Sequence, residues 1–240
     1  MKVLLVLNGP RERYTDGAAE ARLRVWSTYC ASGTELEIGF LAGQSEGGKA
    51  GTYELGTAQA PLSHAALYPD RCVEAEQEGY DAVIMHCCSD PGLYEARRRV
   101  SIPVIGPGEA TLQVGAMLGG SIGITVPGDD SLAHHWQQVH DVGVLHQVIG
   151  MAAINKPLGT FSSQDPAAMT DAFVATARKL VDRGADVICP TGLAILPIRV
   201  SAIEVSERLG IPVLDPALLA VRRAETLVAA VAGTPLRSKV

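Results

Sequence analysis

The sequence predicts an α/β protein built on parallel sheets, and two observations carry that prediction. Short, almost continuously apolar runs alternate with longer helix-like segments, as in sheets covered by helices on both faces. Phrases from the first half also recur, in the same order, in the second. In chain order, strand Val3–Leu7 precedes helix Gly17–Tyr29, and strand Leu36–Leu41 precedes helix Leu62–Gly79. Strand Ala82–Met85 leads to helix Gly92–Val100, and Val104–Ile105 to Ala110–Leu118. The second half repeats the alternation, with Ser121–Val126 before Ser131–Val142 and Val144–Ile149 before Ala167–Arg183. Val187–Cys189 then precedes Val200–Leu209, and Val213–Leu214 precedes Ala217–Ala232.

The recurring phrases argue against one eight-stranded barrel. Gly79-Tyr80-Asp81-Ala82-Val83-Ile84 is echoed by Gly184-Ala185-Asp186-Val187-Ile188-Cys189. Ile102-Pro103-Val104-Ile105 is echoed by Ile211-Pro212-Val213-Leu214. Two similar lobes are therefore expected, each a four-stranded parallel sheet flanked by helices, in a pseudo-twofold duplication. The expected boundaries are 1–110 for the first lobe and 111–215 for the second. Residues 216–240 would form a C-terminal helix that packs back on the first lobe.

Composition excludes several classes. Of the 240 residues, 47% are apolar and 19% charged, which fits neither a disordered nor a fibrous chain. The net charge is −6 and the basic residues form no long run, so neither a nucleic-acid nor a membrane partner is expected. The apolar runs fall far short of a membrane span, and a cytoplasmic location is expected. The five cysteines are an odd number without a C-x-x-C pair, which argues for reduced thiols rather than a disulfide framework or a zinc site. No metal ligand set is predicted: His134, His135 and His140 share a helix without the i, i+4 spacing of a helical metal site.

Parallel sheets bind ligands at the carboxyl ends of their strands. In the echoed segments those ends are His86-Cys87-Cys88-Ser89 and Cys189-Pro190-Thr191-Gly192. Asp90 reads as a helix N-cap with Pro91 at the first helical position, placing Cys87 and Cys88 in a turn whose free N–H groups lower a thiol pKa. Each cysteine could equally close a buried strand, and Cys30 and Cys72 read as core residues on helices. His86 adjoins the thiols and is a further candidate. No nucleotide fingerprint or Gly-x-Ser-x-Gly elbow is present.

Cys87-Cys88-Ser89-Asp90-Pro91-Gly92-Leu93 followed by Gly106-Pro107-Gly108-Glu109-Ala110 resembles the aspartate/glutamate/hydantoin racemase superfamily, and within it the hydantoin and allantoin racemase branch. The resemblance implies that Cys87 is catalytic, with Cys88 one place beyond it. Asn8 is similar to the asparagine that opens the family's Asn-Pro-Asn loop, although Gly9-Pro10 departs from the rest. Thr125 resembles the family's substrate-binding threonine, and Glu109 belongs to its Gly-Glu-Ala motif. The family's second cysteine motif corresponds to Cys189-Pro190-Thr191-Gly192 with a departure: registering on Thr191-Gly192 puts Pro190 at the catalytic place, and registering on Cys189 requires an extra residue.

The resemblance implies racemisation or epimerisation of a small carbonyl compound, such as a hydantoin, allantoin or an amino-acid-like molecule, without a cofactor. Cys87 and Cys189 would serve opposite faces of the stereocentre. Asn8, Cys88, Ser89, Thr125, Thr191 and Gly192 would hold the carboxylate or carbonyl oxygens. The alternative within the superfamily is a single-cysteine decarboxylase or cis-trans isomerase, resembling arylmalonate decarboxylase or maleate isomerase. A homo-oligomer is expected, dimers being the commonest soluble assembly.

Overall fold

The computed structural model describes residues 1–15, 17–41, 65–156 and 165–232. These fall into two compact units. The first draws on the described residues up to Pro107 and from Ala220 onward, and the second on Gly108–Leu219.

The first unit holds strands β1 (Lys2–Leu7), β2 (Glu35–Phe40), β3 (Ala82–His86) and β4 (Val104–Ile105), with helices α1 (Ala18–Ser27), α2 (Leu67–Gln77) and α3 (Leu93–Arg99). All pairings are parallel, in the order β2-β1-β3-β4. The central strand β1 is buried from Val3 to Leu7, which explains its unbroken apolar run. Leu4, Val6, Val83 and Met85 form one sheet face and pack against Tyr68 and Cys72 of α2 and Leu93 and Ala96 of α3. The start of the predicted second helix, Leu62 to His64, lies outside the described residues.

The second unit contains α4 (Pro107–Leu118), β5 (Ile122–Val126), α5 (Leu132–Val142), β6 (Val148–Ala153), α6 (Pro166–Val181), β7 (Val187–Pro190) and α7 (Ala202–Leu209). Helix α8 (Pro216–Val231) follows, and from Ala220 it belongs to the first unit. There the Glu225 carboxylate accepts from Ala31 N–H at 2.7 Å and from the Thr34 hydroxyl at 2.9 Å. Residues Leu145–Gln147, predicted as the start of a strand, form a 3-10 turn that delays β6 to Val148.

The second sheet has three strands among the described residues, ordered β6-β5-β7, rather than the expected four. Val213 reaches Ile188 in a single parallel bridge. The strand cannot extend because the Asp215 carboxylate accepts from Ala217 and Leu218 N–H, at 2.9 and 3.2 Å, and turns the chain into α8.

Both units carry the same hydrogen-bond pattern around the echoed phrase. Asp81 accepts from Lys2 N–H through its side chain, and Asp186 accepts from Ser121 N–H in the same way. Val83 N–H donates to Pro103 O and Ile188 N–H to Pro212 O, each at 2.9 Å. Gly79 and Gly184, at φ 85° and 95°, end the preceding helices in the left-handed region that favours glycine. The duplication is thus visible in the backbone itself.

Candidate active site

Register places the candidate residues of the first unit. Leu7 pairs with His86, so the residues that follow, Asn8 and Cys87, leave adjacent parallel strands side by side. Beyond Cys87 the chain makes two tight turns: Asp90 N–H donates to Cys87 O at 3.1 Å and Leu93 N–H to Asp90 O at 3.2 Å. Asp90 takes φ 49° and Gly92 φ 76°. Gly92, not Asp90, is the N-cap of α3, and no side chain caps it. The Asp90 carboxyl instead lies against Gly106, where a Cβ would come within 2.5 Å of its Cγ. This corrects the predicted cap: the chain needs the two turns to bring Asp90 to the end of β4.

Donors to the Cys87 thiol come from within this turn. The Ser89 backbone N–H and hydroxyl both favour its thiolate, as does the Arg13 guanidinium, while Asp90 opposes it. Burial outweighs them and pushes the thiol up to about 11. The expected lowering of the thiol pKa is therefore not met. Cys88 is buried.

Several neighbours escaped the sequence reading. The Tyr14 hydroxyl donates to Asn8 Oδ1 at 2.8 Å, and Arg13 Nη1 donates to the Asn8 backbone oxygen at 3.1 Å. Burial pushes Tyr14 up to about 12, with a smaller upward contribution from Cys87. Tyr68, also close enough to feel Cys87, donates to Val6 O at 3.4 Å. The only available signal was the departure from the Asn-Pro-Asn loop after Asn8, which says that this segment differs without saying what replaces it.

His86 faces away from this cluster. Its ring packs against Trp26 at 5.5 Å, and burial, followed by the Arg22 charge, holds it neutral, well below the ordinary imidazole range. Strand alternation accounts for its direction.

In the second unit Thr125 pairs with Pro190. Thr191 follows and donates to Thr125 O through both N–H, at 3.0 Å, and hydroxyl, at 3.1 Å. The Thr125 hydroxyl is buried without a hydrogen-bond partner. Gly192 accepts from Ile195 and Leu196 N–H, each at 2.9 Å. Glu109 is buried in the first turn of α4.

Cys189 stands apart from that strand end. It pairs with Ile124 in mid-strand, is 0% exposed, and joins Leu112, Val139 and Val187 in the core. Its thiol donates to Thr111 O at 3.7 Å, and burial pushes it up to about 12. The shared hydrogen-bond pattern makes Asp81 equivalent to Asp186 and Val83 to Ile188. By the same register Cys189 corresponds to Ile84, His86 to Thr191, and Cys87 to Gly192.

A parallel α/β protein of two repeated units, with a cysteine in the turn after a central strand, defines the class. The Asp/Glu/Hydantoin racemase family model matches residues 53–224, and the chain belongs to that family. It is 27% identical over 149 residues to the hydantoin racemase of Paenarthrobacter aurescens, a match spanning 62% of each chain. The chain thus covers less than two thirds of that relative's length. The fold is also that of the allantoin racemase of Klebsiella pneumoniae, with TM-score 0.80, 21% identity, and 99% of this chain and 91% of that one covered. The allantoin racemase of Pseudomonas fluorescens aligns with TM-score 0.81, 22% identity, and coverage of 99% and 94%.

Proposed function

We propose that this protein is a cofactor-independent racemase or epimerase of a small carbonyl compound of the hydantoin or allantoin type, with Cys87 as its acid/base. The observation that carries the reading is the Cys87 turn after β3, where the Ser89 N–H and hydroxyl both favour the thiolate. Those donors stabilise the thiolate once it forms, which is what a proton-abstracting cysteine requires. Family membership and the hydantoin racemase likeness support the reaction type.

In this mechanism the Cys87 thiolate takes the acidic proton beside the substrate carbonyl. The electron pair moves onto the carbonyl oxygen to give an enolate, which donors such as Asn8 stabilise. Return of a proton to the opposite face inverts the centre. In the two-thiol version of this reading Cys189 returns it; Thr125, Thr191 and Gly192 hold the substrate oxygens, with Cys88 and Ser89.

One observation favours a second reading, in which a single cysteine acts. Gly192 occupies the position equivalent to Cys87, and the Cys189 thiol is committed to the core at Thr111 O. A one-thiol site suits a decarboxylase or isomerase that delivers a proton to one face.

The test incubates optically pure 5-monosubstituted hydantoins and allantoin with the protein in D2O. Loss of optical rotation with deuterium entering the stereocentre is expected. No exchange and no racemisation with any of them would sink the proposal.

A further inference from the structure

Two hydrogen bonds converge on Asn8, and both land on oxygens. Tyr14 occupies the side-chain Oδ1 and Arg13 the backbone oxygen. A primary amide has one acceptor oxygen and two N–H donors, so engaging Oδ1 leaves Asn8 a donor toward anything that binds beside it. The tyrosine is itself held. The Arg22 guanidinium lies over its ring at 5.4 Å, and the Phe40 ring packs at 5.8 Å. Arg22 is 5% exposed, donates to Ala18 O at 2.8 Å, and its Nε has no hydrogen-bond partner. Its charge is therefore not spent on a carboxylate hydrogen bond. Burial keeps the Tyr14 hydroxyl protonated, so its role as donor persists across ordinary pH.

We infer that Tyr14 is a positioning residue: it fixes the Asn8 amide with both N–H donors presented to the substrate, so that the site takes compounds with an acceptor oxygen next to the acidic C–H. The inference rests on the proposed function above, in which Asn8 is a substrate-binding group beside Cys87. It assigns a function to the segment after Asn8 that replaces the Asn-Pro-Asn loop.

The test follows the Asn8 side-chain amide by 15N–1H NMR, with the signal assigned by its loss in Asn8→Asp. Tyr14→Phe keeps the ring over Arg22 and removes only the hydroxyl. The Asn8 amide signals are expected to shift in Tyr14→Phe. KM for a 5-monosubstituted hydantoin should rise about threefold to tenfold, the loss of one net hydrogen bond, with kcat nearly unchanged. Tyr14→Phe should add nothing to the defect of Asn8→Ala. Asn8→Asp keeps an acceptor for Tyr14 but has no N–H to offer, and should bind the hydantoin more weakly than Tyr14→Phe does. An Asn8 amide signal unmoved by Tyr14→Phe, or defects of Tyr14→Phe and Asn8→Ala that add in full, overturns the inference. If the amide signal moves in Tyr14→Phe but no hydantoin or allantoin perturbs it in the unaltered protein, the positioning stands and the proposed substrate class falls.

Discussion

The Cys189 sulfur lies against Gly115 of α4 so closely that a methyl group on that glycine would meet it at 2.5 Å. The helix and β7 are in contact through a missing side chain, and the thiol fills the space while donating to Thr111 O. Alternation along β7 sends Ile188 to one cluster and Val187 and Cys189 to the other. Gly115→Ala would gain up to about 1 kcal/mol of helix propensity, but overpacking in a filled core costs about 1–3 kcal/mol. Net destabilisation is expected in urea unfolding. Cys189→Ala in the same chain should recover much of it. If Gly115→Ala alone is stabilising, the contact is looser than described.

The two thiols should separate on substitution. Cys87→Ser is expected to lose at least about a hundredfold in turnover of the hydantoin that proves to be a substrate, the effect of removing a positioned acid or base. Cys189→Ser, which alters only a core position, is expected to keep most of the activity under the one-thiol reading. Steady-state kinetics of the two variants decide the matter. Equal, near-complete loss in both would favour two-thiol racemisation. Full activity in Cys87→Ser would end the mechanistic reading.

The Cys87 pKa predicts the pH profile. A thiol raised to about 11 by burial is almost wholly protonated at neutral pH. If the thiolate is the base, kcat/KM in the free protein should rise about tenfold per pH unit below that value. Ser89→Ala removes one of the donors that oppose the shift, and should move the rising limb to higher pH. A profile flat between pH 7 and 9 in both proteins would exclude the Cys87 thiolate of the free enzyme as the base.

Much of this was legible in the sequence for a specific reason. Parallel strands buried on both faces must be apolar throughout, so Val3–Leu7 and Ala82–Met85 stand out. The echo of Gly79–Ile84 in Gly184–Cys189 records an actual repeat of backbone hydrogen bonds. What was missed depends on direction rather than pattern. Cys189 reads as a strand end because the apolar run Val187–Cys189 stops there, yet β7 continues through Pro190. Asp90 looked like a cap because Asp-Pro is a common helix start, but positive φ at Asp90 and Gly92 delays the helix to Leu93. Tyr14 carries no motif, since its partner Asn8 is reached only through the turn between them.

Stability should fall in mild acid because of buried imidazoles. His135 Nδ1 pairs with Gln138 Oε1 at 2.9 Å, and its ring lies tilted by 44° against that of His134, with centroids 4.2 Å apart. Burial first, and then His134, lower its pKa from 6.5 to about 3; burial also lowers that of His86. A depressed imidazole contributes stability that is complete above its unfolded value and lost as pH falls toward its folded one. Each such group therefore costs up to about 1.4 kcal/mol per pH unit below about 6.5. Urea unfolding from pH 7 to pH 5, above the carboxylate range, should show this slope, and His135→Gln should reduce it. An identical slope in that variant would mean that His135 does not titrate as its burial requires.

The last prediction uses the repeat itself. Gly192 stands where the hydrogen-bond register puts the counterpart of Cys87, and its φ lies outside the left-handed region. A Cβ there would meet Pro127 at 3.3 Å and Ile195 at 3.4 Å, contacts that a small shift of either side chain relieves. Gly192→Cys should therefore fold, at a cost of about 1 kcal/mol or less if the neighbours yield. Under the two-thiol version of the proposed reading, the new thiol supplies the acid/base group for the opposite face. Racemisation measured by loss of optical rotation should rise at least about tenfold over the unaltered protein, a modest part of what a positioned acid or base contributes. The gain should disappear when Cys87→Ser is combined with it, because inversion needs both groups. A folded Gly192→Cys variant with unchanged turnover would show that the equivalence of Cys87 and Gly192 is one of backbone alone. A gain that survives Cys87→Ser would mean the new thiol racemises by itself, and would remove Cys87 from the proposed chemistry.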